Sequence, residues 1–435
     1  MAGLDDRRLI ARWSHRFGFG PKPGQFRSLV DGGVDRAFST IIDATPSTLE
    51  VSVSQDLLGI KDLGDQPTPN TPPVIAYANE KRRQIRALTL WWISVMSSIA
   101  SPLTERMTWF WHGHWATSFQ KVDEPLLMFN QNFTLRQNAL GNFRDMCKAM
   151  VVDPALVYWL DGQTNTSKAP NENLARELME LFILGVDRYS ERDVKQAALA
   201  LTGYRLKKSS GILNYIDALH YSAPLTILGR TSPFDALTLT DYLIDQDNCA
   251  LFISERLWYR FVSSSIPLPS DRSLQKSFAT RNISALVTAL ARHPEMNNPA
   301  HSQVKSPLEW VISSLRALNI GPYDLPNPDF LLNSIDNMGQ KPFFPPNVGG
   351  WPADEAWLST ASTQTRISLA QVLVKAGDVT PLLSVPANQR IDQLADWLGI
   401  YQWSDRTRST LNGALQDPTR LTLLGICSPE YVVNA

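Results

Sequence analysis

The most regular hydrophobic pattern in the chain lies between Tyr77 and Ala100. Leu88, Trp91, Trp92, Val95, Met96 and Ile99 recur at alternating three- and four-residue steps or close to them, the signature of an amphipathic helix. Leu9, Ile10 and Trp13 carry the same period near the N-terminus, and residues 26–38 continue it. Pro102 suits the first turn of the next helix, because a proline there gives up only an N–H that has no helical partner. Leu140, Phe143, Cys147 and Met150 mark another helix, and Asp153-Pro154 opens a short one. Two helices over residues 172–184 and 190–201 form an expected hairpin. Gly185 ends the first in the left-handed region, and Ser190 with Asp193 opens the second as a capping box. Helical spacing returns over residues 233–245, 248–262, 282–293, 307–318, 330–338, 363–376, 390–398 and 404–415.

Breaks are equally legible. Phe17-Gly18-Phe19-Gly20-Pro21-Lys22-Pro23-Gly24 is a turn. Residues 45–73 read as irregular and end in an extended polyproline-type run, Pro67-Thr68-Pro69-Asn70-Thr71-Pro72-Pro73. Residues 207–227 are punctuated by Gly and Ser and admit a short hairpin, and residues 340–357 form a long loop rich in Pro, Gly and Trp. Strand-type alternation is scarce, and no repeat of fixed period is present. The expected fold is all-α: one large multi-helix domain of packed helical hairpins with long Pro/Gly/Trp-rich loops. Its parts are an N-terminal arm (1–75), a helical core (76–338), and the Pro/Trp loop with C-terminal helices (339–435).

Composition narrows the class. With 43% hydrophobic and 19% charged residues the chain is too apolar for disorder. The 41 basic and 42 acidic residues nearly cancel, so no global field draws it to nucleic acid or to a membrane. Its longest apolar stretch, residues 88–100, is far short of the roughly 20 residues a spanning helix needs. The N-terminus carries no apolar signal-peptide core, so the chain reads as cytoplasmic; a trimmed leader would make it periplasmic or secreted. Three dispersed cysteines exclude a disulfide framework and a cysteine zinc site. The 13 tryptophans imply a heavily packed core or a lined pocket. No nucleotide-cofactor motif, Walker loop or nucleophile elbow occurs.

Chemistry concentrates in residues 108–184. His112 and His114 stand two apart in Trp109-Phe110-Trp111-His112-Gly113-His114-Trp115, and imidazole is the commonest metal ligand and a natural base. On a regular helix residues two apart diverge by about 200°, so both reach one ion only if Gly113 breaks the turn. Otherwise His114 shares the stripe of Met107, Phe110 and Trp111. Downstream, Asn173, Glu177 and Glu180 share one helix face, with Glu172 and Arg176 as an i,i+4 pair beside them. Apolar flanks imply partial burial of these carboxylates, and buried carboxylates need a cation: arginine, metal or proton. Arg144, Arg176 and Arg205 are the candidate arginines. His220 offers a further imidazole. Trp351 and Trp357, in the Pro/Gly/Trp loop, either lid a cleft and stack on a ligand or seal a core edge.

A set of motifs in fixed order resembles one family. Phe17-Gly18-Phe19-Gly20-Pro21, the Trp/His run, Asp153-Pro154-Ala155-Leu156, Pro170-Asn171-Glu172-Asn173 with Ala175-Arg176-Glu177 and Glu180-Leu181-Phe182, Ala200-Leu201-Thr202-Gly203, and Pro345-Pro346-Asn347-Val348 with Gly350-Trp351-Pro352 are similar to the bacterial family known as domain of unknown function 1800. The resemblance spans nearly the whole chain. It implies a mostly helical fold and, from the way its members are encoded, a protein partner from a neighbouring gene. The chain departs from that pattern at Tyr221, where the family has Asp after the histidine.

These readings give a leading expectation: a metal-dependent enzyme, an oxidoreductase before a hydrolase. Iron, manganese or zinc would be held by His112, His114, Glu177, Glu180 and His220, with Asn171, Glu172, Asn173 and Arg176 orienting them. The alternatives are a non-catalytic scaffold with a buried Arg–Glu network and an aromatic-lined protein that binds saccharide or peptide.

Overall fold

The computed structural model describes residues 3–43 and 55–434, so part of the irregular stretch expected over residues 45–73 lies outside the described residues. Helices dominate the rest. Strands are confined, among the described residues, to three two-stranded antiparallel pairs. Tyr204–Lys207 pairs with Ile212–Tyr215, Leu225–Ile227 pairs with Arg230–Ser232, and Gln303–Val304 pairs with Val433–Asn434. The last pair ties the chain's end to the segment preceding helix Pro307–Ala317. No helix among the described residues is long and apolar enough to cross a membrane.

Several elements differ from the sequence pattern, among them helix Pro125–Asn138, which that pattern did not include. Helix Pro72–Ser98 begins inside the proline run: Pro72 and Pro73 form its first turn rather than the end of an extended arm. Helix Pro418–Ile426 was not anticipated, although Asp417 caps it by accepting the Arg420 N–H at 3.0 Å, the same Asp-Pro device that opens Pro154–Trp159. The helix carrying the carboxylates is α-type only over Asn173–Glu177 and widens into a π-helix over Leu178–Ile183. There the Leu184 N–H reaches back to the Met179 carbonyl at 2.9 Å.

The apolar interior forms two clusters. Helix Leu103–His114 stands between them, with Met107, Phe110 and Trp111 in one cluster and Trp109 in the other. The Pro/Gly/Trp loop crosses this helix at Gly113. Gly350 (φ +83°) lies so close that a Cβ there would sit 2.2 Å from the Gly113 carbonyl oxygen.

What closes the helices at their C-terminal ends is a recurring contact. The last carbonyls of a helix have no partner within it. Here indole, imidazole and guanidinium groups from distant elements supply the donors. Trp13 donates to the Ala291 carbonyl, Trp111 to Ala139 and Trp310 to Ile426, each at 2.9 Å, and Trp397 donates to Ala317 at 2.6 Å. Arg316 donates to Ile99 at 2.9 Å, and Arg281 to Ile244 at 2.7 Å. All six carbonyls lie at or within one residue of a helix end. Much of the tryptophan content is therefore spent on capping as well as on packing. Trp310→Phe keeps the ring area but orphans the Ile426 carbonyl. It should lower stability by about 1–3 kcal/mol in urea unfolding, with the denaturant slope unchanged.

Candidate functional site

Gly113 does not break the helix, which runs unbroken to His114. The two histidines consequently serve different cores. His112 packs among Trp92, Trp109, Phe343 and Trp351. Its Nε2 lone pair accepts the Phe343 N–H at 3.0 Å. His114 packs among Phe110, Trp111, Trp115, Phe182 and Phe252. Its Nε2–H donates to the Phe182 carbonyl at 2.9 Å and so caps the end of the π-helix. That assigns the Nδ1 lone pair of His114 no partner among the described residues. Burial pushes both imidazoles down to about 3, and the nearby Arg256 charge adds to the effect at His114.

The carboxylate face forms, but with the donors divided. Glu180 accepts a short hydrogen bond from the Tyr189 hydroxyl. Glu177 is half-buried, and desolvation followed by the Glu180 charge pushes its carboxyl up. Arg176 turns away to Glu172 at 3.1 Å and Glu191 at 2.7 Å. Asn171 and Glu172 stay near the helix start: the Asn171 side chain accepts the Asn173 N–H at 2.9 Å. His220 lies elsewhere, its Nδ1 3.1 Å from the Thr202 carbonyl and its ring against Tyr215. Tyr221, at the position of the family's Asp, packs partly buried on the first core. Among the described residues no group of three or more His, Cys, Asp or Glu side chains is placed to hold a metal ion. Buried Arg–Glu pairs do exist, but not with the arginines expected. Arg136 pairs with Glu105 at 2.5 Å, and Arg106 with Glu309 at 2.5 Å. Arg144 instead meets Asp241 and Asp245, and Arg205 donates to the Gln163 carbonyl at 2.7 Å.

Trp351 and Trp357 are only 5% exposed, so neither ring offers a face for stacking. They seal the seam between the two cores, and that seam holds a site the sequence pattern did not reveal. A cleft there has two lobes of about 30 Å³ each that share Arg106, Arg260 and Glu309: one is lined by Val304, Lys305 and Trp357, the other by Trp109, Phe110, Arg256, Phe261 and Trp351. Five basic side chains line it, Arg16, Arg106, Arg256, Arg260 and Lys305, against two carboxylates, Glu309 and Asp354. Both carboxylates are committed. Glu309 pairs with Arg106 and accepts the Ser306 N–H at 3.0 Å. Asp354 accepts the Val304 N–H at 2.7 Å and the Ser264 hydroxyl. Three of the cations are held by carbonyls: Arg16 donates to Val262 and His301, Arg106 to Arg16, and Arg260 to Trp351.

The other two are not held in this way. Arg256 makes no hydrogen bond or ion pair with any described residue, and its Nε is buried. The Lys305 ammonium is buried over the Tyr431 ring, 3.6 Å from its centroid, without a hydrogen-bond acceptor among the described residues. The indole N–H groups of Trp351 and Trp357 likewise find none. Burial holds Lys305 well below the usual lysine range and lowers Arg260 to about 10. Buried donors normally have acceptors. Four donors without acceptors among the described residues, two in each lobe, make this cleft the candidate site. Sequence could not find it, because its donors come from segments around residues 256, 305, 351 and 357 with no shared spacing.

The family model described as "Protein of unknown function (DUF1800)" matches residues 12–433, so the chain belongs to that family. No curated protein and no solved structure matches it.

The buried imidazoles set an acid limit on stability. Below about 6.5 the unfolded chain takes up protons that folded His112 and His114 refuse until about pH 3. Stability is therefore lost as pH falls through that window, by up to ~1.4 kcal/mol per pH unit for each histidine. His114→Gln keeps an N–H donor but cannot titrate. Its urea-unfolding free energy should fall less steeply than the wild type's between pH 7 and pH 5.

Proposed function

We propose that this chain, as a member of that family, binds an anionic ligand in the cleft between its two cores. Arg256 and Lys305 would be the primary cations, and Trp351 and Trp357 would supply neutral donors. The observation that carries this reading is the set of four buried donors without acceptors on one cleft, in a protein that satisfies most other buried indole and guanidinium donors with carbonyls. An oxyanion answers the need directly: it accepts several N–H bonds at once, and a guanidinium can grip it through two parallel ones. The wall of aromatics favours binding by lowering the local dielectric, which strengthens each charge-assisted bond. This keeps the aromatic-lined binding role, with recognition through the donor edges of the tryptophans in place of their faces.

Calorimetric titration with inorganic phosphate and with citrate tests it. Wild type should bind one of them at a single site, more weakly as salt is raised. Arg256→Gln should weaken binding at least tenfold while leaving the ligand-free protein as stable or more so, because an unpaired buried charge is removed. No binding of any small anion, or an Arg256→Gln variant that binds unchanged, overturns the reading.

A second reading retains metal-dependent chemistry, and one observation favours it. Desolvation, then the Glu180 charge, raises the Glu177 carboxyl, and among the described residues no arginine forms an ion pair with either glutamate, Arg176 being paired with Glu172 and Glu191. A divalent iron, manganese or zinc ion would supply the counter-charge. Elemental analysis of native protein should then find one equivalent of metal, lost in Glu177→Gln; less than a tenth of an equivalent in the wild type removes this reading.

A further inference from the structure

The cationic cleft does not end at its charged walls. Tyr259 and Ser264 line it and also line an adjoining groove of about 690 Å³. That volume lies within the about 300–1,000 Å³ usual for small-molecule sites. The groove runs along helix Asp247–Phe261 and the loop that follows, and its floor is apolar: Leu251, Trp258, Ile266, Pro267, Leu268 and Pro269. Ile266 is 42% exposed and Tyr259 39%, an apolar strip open to solvent directly beside buried positive charge.

The polar groups closest to that floor are largely committed. The Trp258 indole N–H donates to the Ile266 carbonyl at 2.7 Å, and the Ser263 hydroxyl accepts the Ile266 N–H at 3.1 Å. The Ser264 hydroxyl is committed to Asp354 and Glu255 to Arg188. Arg272, Gln275, Ser265, Ser270 and the Tyr259 hydroxyl also line the groove beside that floor, with the Gln275 Oε1 buried and without a partner among the described residues. A peptide or a sugar laid along the floor of Leu251, Trp258, Ile266 and Leu268 would leave amide or hydroxyl groups unpaired against it, at a desolvation cost. A hydrocarbon chain would not.

We propose that the anion bound by the cleft is a single-tailed amphiphile, its acid head among Arg256, Arg260 and Lys305 and its aliphatic chain in the groove floored by Ile266 and Leu268. The inference rests on the anion-binding reading and adds the ligand's tail. Carboxylate and phosphate heads share the chemistry that the cations recognise, so fatty acids and alkyl phosphates are the two sources. The proline-stiffened loop, with Pro267 and Pro269, presents the groove with little backbone freedom to lose on binding.

Calorimetry on the full chain, below the micelle concentration of each ligand, decides it. The series runs from acetate to decanoate, with decyl phosphate, decanol and inorganic phosphate beside it. Affinity should tighten roughly fourfold for each CH₂ that the groove buries. Decanol should bind far more weakly than decanoate, and whichever of decanoate and decyl phosphate binds tighter identifies the head. Ile266→Ser, a neutral change, should flatten the chain-length series. A flat wild-type series with phosphate still bound overturns the tail and leaves the anion site standing. Decanol binding as tightly as decanoate separates the groove from the cleft and overturns the inference. Failure of every anion, phosphate included, removes the underlying reading as well.

Discussion

A helix leaves its last carbonyls without partners, and a protein built almost wholly of helices meets that constraint at every chain turn. When such ends are packed inside, water cannot serve them, and each orphaned acceptor costs about 1–3 kcal/mol. Carboxylates cannot help, since they only accept. The interior of this protein is furnished with the side chains that can donate from a distance: Trp310 to the end of Pro418–Ile426, Trp397 to the end of Pro307–Ala317, Arg316 to the end of Pro72–Ser98 and His114 to the end of the π-helix. These contacts bridge long sequence separations, so they fix how the helices sit against one another as well as how they end. The π-helical widening belongs to the same logic, because it sets the position at which the Phe182 carbonyl meets His114.

This solution carries an electrostatic consequence. Carbonyl dipoles stabilise buried guanidinium groups without neutralising them. Where several such arginines meet, positive charge accumulates inside a chain whose overall charge is close to zero. They meet at the seam between the two cores. Arg16 and Arg106 cap helix ends there, Arg260 holds the Pro/Gly/Trp loop, and only Glu309 and Asp354 oppose them. The cleft and the fold thus have one origin. Arg256 and Lys305 differ from these arginines in that neither side chain donates to a carbonyl among the described residues.

The local chemistry around residues 108–184 was legible in part. Glu177 and Glu180 do share a half-buried helix face, and Ser190 with Asp193 does form the capping box. The histidines were conspicuous for their chemical type, but their partners come from residues 182 and 343, and no local pattern announces a carbonyl or an N–H from so far along the chain. Trp351 and Trp357 were conspicuous for their size. Their burial against the second core was settled by rotamer and loop path, which size does not reveal. Gly113 looked like a break in a helix; it is the place where a second backbone, at Gly350, comes into contact.

Taken alone, the sequence determined the all-α class, most helix positions, the caps at Ser190 and Asp153, and the family through its ordered motifs, because period, capping chemistry and motif order are local properties. It set helix existence better than helix type: the step from α to π within one helix depends on what receives the freed carbonyls. Only the tertiary structure decided which donors would be spent on helix ends and which would be left over. That outcome depends on the packing of segments hundreds of residues apart, and it divided His112 from His114 and set Arg256 and Lys305 in the two lobes of one cationic cleft.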